Sequence, residues 1–459
     1  MMTTYEQLRR QHYAEAMARV PGMVDRLSWP AERLATHRRT QLQQLVQVAV
    51  EGSPWHRKRL RYIDPDALAA GDVAALPTMT KADLMEYFNE VVTDERLRLD
   101  VVDAHLDSEQ LAAGSYLLDR YTAIASGGST GRRGVFVYGW DGWTVLWVGL
   151  FRYLFRAMRT DPELIGAPPL MANVTASHPT HATAAFNRTF TGPHMTALRF
   201  PVTLPVEDIV AGLNETQPTF LHAYPSALHL LAAEARAGRL RIAPKRVISS
   251  SEPLLPEIRT AAEEAWGVRL GNWWGASEGG AIGITCDEGV VHLSEDLVIV
   301  EPVDENNQPV PAGERSAKIL LTNLFNHTLP LIRYEVTDEV MVLPEPCRCG
   351  SAHRCVADIE GRLDDTFVYG SRVVHPHVFR SALGRRSDIV EYQVRQTAQG
   401  AAVALRCAGP VDLDHLRGDL VDALTRLGVA APEVTLEVVG ALERQVVGKL
   451  KRFVPLPAA

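Results

Sequence analysis

The chain has 459 residues, of which 46% are hydrophobic and 22% are charged, and its formal net charge is −8. A chain of this length usually forms two or more domains, and the composition is typical of globular proteins. The acidic balance argues against a nucleic-acid-binding protein, and no stretch predicts a membrane span or a signal peptide. Because five cysteines are too few for a disulfide framework, we expect a reduced, cytoplasmic enzyme.

The hydrophobic pattern of the N-terminal part predicts helices. Leu42, Leu45, Val46 and Ala49 recur at helical spacing before the breaker "GSP". In "LPTMTKADLMEYF", Thr80 is a candidate N-cap for a helix that begins at Lys81. Helices therefore precede the first predicted strand.

The middle of the chain predicts an α/β domain. The segment "DRYTAIA" reads as a strand, and "GWTVLWVGLFRYLFRAM" reads as a buried helix. Between residues 200 and 340, helical patterns alternate with β-rich runs such as "RVISS" and "AKILLTNL". This alternation indicates mixed sheets that are flanked by helices.

The last hundred or so residues predict a separate, small α+β unit. The segments "AAVALRCAG" and "EVTLEVVG" read as strands on either side of a leucine-rich helix at residues 413–427, which Gly428 can cap. We place the boundary within "EGRLDD" (360–365), which divides the chain into domains at 1–361 and 362–459.

A loop rich in glycine and hydroxyl residues, "SGGSTGRRG" (126–134), follows the first predicted strand. Its backbone N–H groups and hydroxyls suit an anionic phosphate, although an ordinary turn has the same composition. A P-loop would have lysine after the last glycine of its motif, whereas here Gly131 is followed by Arg132 and Arg133.

Four further motifs follow the loop. They are "NWWGASEGG" (272–280), "LPLIRYEVTDEV" (329–340), "IEGRLDDTF" (359–367) and "VVGKLKRF" (446–453). In this order and spacing, together with the loop, they resemble the adenylate-forming superfamily of acyl-CoA ligases and adenylation domains. The segments "SSSEPL" and "LPTMTKADL" resemble its phenylacetate-CoA ligase branch in particular.

The resemblance implies a reaction in two halves. An aromatic carboxylic acid attacks the α-phosphate of ATP, with Mg²⁺ present, to give an acyl-adenylate and pyrophosphate. Coenzyme A then displaces AMP. Adenylation builds negative charge on phosphate, so it requires cations and oriented donors more than a base.

The resemblance also assigns residues to ATP or AMP. They are Ser126, Gly127, Gly128, Ser129, Thr130, Gly131, Ser251, Glu252, Pro253, Trp274, Asp338 and Arg362. Trp274 would stack on adenine, and Asp338 would accept hydrogen bonds from the ribose hydroxyls.

The resemblance assigns the catalytic roles to Lys449, Ser277 and Glu278. Lys449 would reach the α-phosphate, Ser277 would contact phosphate oxygens and Glu278 would hold Mg²⁺. The small C-terminal domain would be mobile and would pivot at Asp364.

The resemblance implies that five other residues line the acyl pocket, namely Tyr224, Gly275, Ala276, His178 and His181. A lone histidine is more often structural than ligand-binding, so both readings of His178 and His181 stay open. We interpret Trp273 as a core residue and Arg333 as a structural ion-pair partner.

Three cysteines and one histidine match the ligand set of a structural zinc site, and they are Cys286, His292, Cys347 and Cys349. Some relatives in the branch carry a structural metal here. Cys355 competes as a ligand, and free buried cysteines that simply pack are the alternative.

Other functions remain open at this stage. The chain departs from its relatives at Trp274, where they often have tyrosine, and at the arginine pair of the loop. The activated acid could pass to a carrier protein, an amine or a small nucleophile such as nitrite. A non-catalytic nucleotide-binding homologue is a second alternative, and a homodimer is a further expectation.

Overall fold

The computed structural model describes residues 4–125, 134–161, 164, 169–175, 178–192, 196–202, 204–251, 254, 256–357, 367–374, 377–383, 386, 388–407, 409–440, 442–443 and 453–456. The N-terminal part is helical. Its helices are α1 (Thr4–Asp25), α2 (Ala31–Gly52), α3 (Pro54–Leu60), α4 (Pro65–Ala70), α5 (Lys81–Glu86), α6 (Phe88–Val91), α7 (Leu99–Leu106) and α8 (Glu109–Ala113), with 3₁₀ turns at Arg26–Ser28 and Val73–Ala75.

Local sequence explains where two of these helices begin and end. The apolar stripe predicted within residues 42–49 is the buried face of α2, which stops before Ser53. Thr80 caps α5 as predicted, and its hydroxyl and the Asp83 side chain satisfy each other's backbone N–H groups in a capping box.

A two-stranded antiparallel hairpin frames the glycine-rich loop. It consists of β1 (Tyr121–Ala125) and β2 (Val135–Gly139), and Ala125 pairs with Val135 next to the loop. The next element is α9 (Trp140–Thr160), the predicted apolar helix, which packs against α1. No helix in the described ranges is long and apolar enough to cross a membrane.

A mixed sheet dominates the middle of the chain. Its strands are β3 (Leu170–Thr175), β4 (Thr196–Pro201), β5 (Phe220–Ala223), β6 (Arg246–Ser250), β7 (Leu270–Ala276), β8 (Gly280–Thr285), β9 (Val291–Leu293) and β13 (Cys355–Val356). The strand order is β13-β9-β8-β7-β6-β5-β3-β4, with parallel pairing from β4 to β7 and antiparallel pairing from β7 to β13.

Helices connect the parallel strands, as expected for crossover connections. They are α10 (Ala182–Thr189), α11 (Val206–Thr216), α12 (Pro225–Arg236) and α13 (Pro256–Trp266). A core forms between this sheet and α11, α12 and α13, and a larger core on its other side includes α1 and α9. The predicted α/β class is confirmed.

A second, antiparallel sheet contains β10 (Val298–Val303), β11 (Lys318–Asn323) and β12 (Tyr334–Val336). Arg333, just before β12, donates two hydrogen bonds to Glu301, at 3.1 and 3.0 Å, and others to the carbonyls of Ala74 and Leu76. Arg333 is therefore a structural ion-pair partner, as predicted.

The C-terminal residues contain β14 (Phe367–Tyr369), β15 (Arg372–Val374), α14 (His377–Leu383), β16 (Ile389–Gln396), β17 (Gly400–Cys407), α15 (Leu413–Arg426), β18 (Glu433–Val438) and β19 (Phe453–Val454). Four of these strands form a sheet in the order β18-β17-β16-β19. Gly428 follows α15 with a φ of 79°, the left-handed conformation that its predicted capping role requires. The buried cluster around this sheet begins at Phe367 and contains no earlier described residue.

Candidate active site

The turn between β7 and β8 carries the predicted catalytic pair, Ser277 and Glu278. The turn is too tight for a side chain at Gly275, where a β-carbon would lie only 2.8 Å from the carbonyl oxygen of Gly280. Gly280 itself has a φ of 63°, which favours glycine. Ser277 and Glu278 are both partly buried, whereas Gly275 is exposed.

Trp274, at the end of β7, is hydrogen-bonded to Asp338 across 64 residues of sequence. The indole Nε1 donates to Asp338 Oδ2 at 2.8 Å, and the indole is 6% exposed. The fold thus brings together the two residues that the sequence assigned to adenine and ribose. Trp273 points into the core, as predicted, where its ring packs on Phe151.

The Glu278 carboxyl lies in an unusual electrostatic environment. Burial raises its pKa above the ordinary glutamate value, the charge of Lys81 lowers it, and the charge of Asp338 raises it. Two carboxylates are therefore close enough to repel each other, and a cation or hydrogen-bond donors placed between them would relieve that repulsion. Carboxylate oxygens, such as those of Glu278 and Asp338, are ligands that Mg²⁺ prefers.

Buried polar residues fix the backbone of this turn. Tyr138, on β2, donates its hydroxyl to the carbonyl of Ser277 at 2.5 Å. Asn323, at the end of β11, donates Nδ2 to the carbonyl of Glu278 at 2.8 Å. Asn326 donates Nδ2 to the carbonyl of Val137 on β2 at 3.1 Å. These contacts connect the turn to the hairpin that frames the glycine-rich loop.

Sequence reasoning missed Tyr138, Asn323 and Asn326, which are all at most 1% exposed. The only signal was two asparagines three residues apart in the apolar stretch "LLTNLFN". A buried amide requires partners, so this pattern indicates a polar network but does not identify what it holds.

Eleven of the predicted site residues lie outside the described ranges. They are Ser126, Gly127, Gly128, Ser129, Thr130, Gly131, Glu252, Pro253, Arg362, Asp364 and Lys449. Their roles stay predictions. The described strand before the loop is anchored, because Ala125 donates its N–H to the carbonyl of Thr180 at 2.9 Å.

The predicted acyl-pocket residues lie in different surroundings. Tyr224 is buried in the core between the sheet and α12, whereas Ala276 packs against the larger core on the other side. The Nδ1 atom of His178 lies 2.8 Å from the hydroxyl of Thr180, and the rings of His178 and His181 are 6.1 Å apart. Both histidines are partly buried near the end of β1.

The four predicted metal ligands form a cluster. The thiol sulfurs of Cys286, Cys347 and Cys349 and a ring nitrogen of His292 all lie within 4.8 Å of one another. The separation is 3.8 Å between the sulfurs of Cys286 and Cys347, and 3.3 Å between the Cys349 sulfur and Nε2 of His292. Cys355 lies beside the cluster, with its sulfur 3.9 Å from the same nitrogen, but is not one of the four.

The surroundings of His292 suit a metal ligand. Its Nδ1 lies 2.9 Å from the carbonyl of His353, a contact that places the proton on Nδ1 and leaves the lone pair on Nε2. Burial and neighbouring thiols raise the pKa of Cys349 to about 12. A bound cation would lower that pKa and deprotonate the thiol. Three cysteines and one histidine are a ligand set that holds structural Zn²⁺, so the four residues fit this ion.

A cavity of about 350 Å³ lies elsewhere in the molecule, between α11, α12 and the C-terminal residues. Glu207 and Arg372 line it and form an ion pair at 3.3 Å. None of the predicted site residues in the described ranges lines this cavity, so it is separate from the candidate active site.

Comparison with solved structures identifies the fold. A 2-hydroxyisobutyryl-CoA ligase, solved with its acyl-adenylate and CoA in the thioesterification state, superimposes with a TM-score of 0.61 and 20% identity over 94% of this chain and 91% of its own. The same ligase in its postadenylation state gives a TM-score of 0.58 at 21% identity, with the same coverage. The chain has the adenylate-forming fold.

A curated relative agrees with this result. The phenylacetate-coenzyme A ligase of Thermus thermophilus is 27% identical over 278 residues, which cover 53% of this chain and 62% of the relative. No protein-family model matches the chain. The resemblance to the superfamily and to its phenylacetate-CoA ligase branch, which we inferred from the motifs, is confirmed.

Proposed function

We propose that this adenylate-forming protein is an AMP-forming acid–thiol ligase. It activates a carboxylic acid with ATP as an acyl-adenylate and transfers the acyl group to coenzyme A. The observation that carries this proposal is the juxtaposition of Trp274, Asp338 and Glu278. The Trp274 indole is hydrogen-bonded to the Asp338 carboxylate, and the pKa of the Glu278 carboxyl is raised by burial and, to a smaller extent, by the charge of Asp338.

Each member of this group has a role that its chemistry supports. Trp274 offers a flat ring for adenine, and Asp338 accepts from the ribose hydroxyls because a carboxylate only accepts. Glu278 would hold Mg²⁺, which neutralises charge on the phosphates when bound, and Ser277 would donate to a phosphate oxygen. Lys449 is proposed as the cation at the α-phosphate.

The domain arrangement is part of the proposal. We place the boundary after residue 361, with residues 362–459 as a small unit that moves about Asp364 and brings Lys449 to the site. The separate C-terminal core supports this division, because a unit with its own core can move as a rigid body.

We propose an aromatic acid as the substrate and a structural zinc ion at Cys286, His292, Cys347 and Cys349. Similarity to a phenylacetate-coenzyme A ligase supports the first proposal. The 2-hydroxyisobutyryl-CoA ligase shares the fold but acts on an aliphatic acid, so both classes of acid belong in the test. The geometry of the four ligand atoms supports the second.

One experiment tests the reaction. The protein is incubated with Mg-ATP and a panel of aromatic and aliphatic acids, and pyrophosphate release is measured with and without coenzyme A. We expect release with an aromatic acid and a thioester product when coenzyme A is present. Release without a thioester would favour an amine, a carrier protein or nitrite as acceptor. No release with any acid would contradict the proposal.

A further inference from the structure

A chain of buried polar side chains crosses neighbouring parallel strands of the mixed sheet. Asn173 on β3 pairs in register with His222 on β5, and Ser250 ends β6. The Nδ1 atom of His222 lies 2.9 Å from Asn173 Oδ1, and its Nε2 lies 2.8 Å from the Ser250 hydroxyl. The hydroxyls of Ser250 and Ser251 are 3.2 Å apart, and Ser251 is exposed.

The arrangement has the order of a serine–histidine–asparagine relay, but two observations argue against a nucleophile. Burial lowers the pKa of His222 to about 4, so its imidazole is neutral and only weakly basic. Ser250 is 9% exposed, and its oxygen already contacts both His222 and Ser251. The chain therefore orients a group rather than attacking one.

The hydrogen bonds of this chain run in one direction. Asn173 donates Nδ2 to the carbonyl of Leu198 at 3.5 Å, so its Oδ1 faces His222 and accepts from Nδ1–H. Since the imidazole is neutral, Nε2 accepts the only proton of the Ser250 hydroxyl. The contact between the serines must then use the proton of Ser251. The Ser251 oxygen is left with lone pairs alone for any other partner.

Ser251 occupies a position where a ligand can reach it. It has a φ of 69°, a left-handed conformation that residues with a β-carbon rarely adopt. Ser250 is the last residue of β6 and pairs in register with Trp273 of β7, and Ser251 follows it. Ser251 is therefore at the carboxyl end of a parallel strand, where open α/β sheets bind ligands.

We propose that Ser251 is a fixed hydrogen-bond acceptor for an N–H or O–H group of the bound ligand, and that Asn173, His222 and Ser250 are the positioning residues that fix its direction. This inference rests on the proposed function. The donor can belong to the amino group of adenine or to an amino substituent of the acid. The chemistry is the same in both cases, and an experiment with two arms separates them.

The experiment compares wild-type protein with Ser250→Ala, Ser251→Ala and the control Ser249→Ala. Ser249 is the neighbouring residue of β6, and its hydroxyl bonds Asn272 rather than the relay. One arm measures kcat/KM for ATP against ITP, which carries an oxygen in place of the amino group. The other compares amino-substituted with methyl-substituted benzoic acids. In one arm the wild type should prefer the ligand that carries the donor roughly 5- to 100-fold, because the alternative ligand covers the Ser251 oxygen without pairing it.

Ser250→Ala frees the Ser251 hydroxyl to donate, and Ser251→Ala removes it, so both variants should lose most of that preference. The arm that changes identifies the source of the donor, and Ser249→Ala should keep the wild-type ratio. A loss of overall activity or of stability would leave these ratios in place, so they report on the acceptor role alone. Ratios in both arms that stay within about threefold of wild type in both variants would overturn the inference.

Failure of the proposed function can be distinguished from failure of this inference. If the wild type releases no pyrophosphate with any acid, the affinities for AMP and IMP are measured by titration calorimetry. A preference for AMP that falls in Ser250→Ala but not in Ser249→Ala would support the acceptor role without the ligase reaction. The amino- and methyl-substituted benzoic acids are titrated in the same way, and equal affinities within both pairs in the wild type, or no binding of any of these ligands, would overturn it.

Discussion

Tyr138 offers a direct test of how the Glu278 turn is held in place. The substitution Tyr138→Phe keeps the buried ring and removes only the hydroxyl that donates to the Ser277 carbonyl at 2.5 Å. Burial and the nearby Glu278 charge raise the pKa of Tyr138, so in the wild type the hydroxyl stays protonated and donates across the working pH range. The substitution leaves the Ser277 carbonyl without this partner in a turn that is partly buried.

The expected effect follows from that loss. A buried carbonyl without its partner costs about 1–3 kcal/mol. If the whole cost appears in the transition state of adenylation, kcat falls about 5- to 150-fold. The assay is pyrophosphate release at saturating ATP and acid, with thermal unfolding measured in parallel.

A matched control lies on the other strand of the same hairpin. Tyr121, on β1, donates its hydroxyl to Asp94 at 2.6 Å, which is a contact of similar length. We expect Tyr121→Phe to lower stability with little change in kcat. If Tyr138→Phe kept kcat within about twofold of wild type, or if both variants lost kcat equally, the positioning role of Tyr138 would be refuted.

Three further predictions concern other parts of the site. Lys449→Ala should abolish adenylation while ATP still binds, because the lysine acts on charge that develops at the α-phosphate, and unchanged pyrophosphate release would exclude that role. The purified protein should contain about one zinc ion per chain, and Cys349→Ser should lose it and unfold at a lower temperature, whereas Cys407→Ser, away from the cluster, should retain the metal. Burial raises the pKa of Glu278 and the charge of Lys81 lowers it. Activity should fall as the pH drops through the pKa of Glu278, because the protonated carboxyl no longer binds a cation. Lys81→Met should shift the acidic limb of the kcat/KM profile to higher pH, and a shift to lower pH would contradict this assignment.

The sequence predicted more of the fold than of the site. Apolar periodicity located α2, α9 and α15, and the N-cap candidate Thr80 located the start of α5. These signals are local, because they depend only on spacing along the chain. The four members of the cysteine–histidine cluster were also predictable, because few residue types bind zinc.

Other features depended on the tertiary structure. Pairing of Cys355 with His292 in neighbouring strands explains why this fifth cysteine lies beside the metal cluster. Tyr138, Asn323 and His222 are polar residues within largely apolar runs, which look like ordinary core positions in a sequence. Their partners are 28 to 139 residues away, and no local pattern specifies such distant contacts.

By itself, the sequence determined which residue types are available for nucleotide and metal chemistry and the order in which they occur. The tertiary structure decided which of them meet, as when Trp274 bonds to Asp338 across 64 positions. It also decided the direction of the hydrogen bonds that end at Ser251. The reason is physical: motif spacing is a property of the chain, whereas a hydrogen bond or a pKa shift depends on the groups that folding places around an atom.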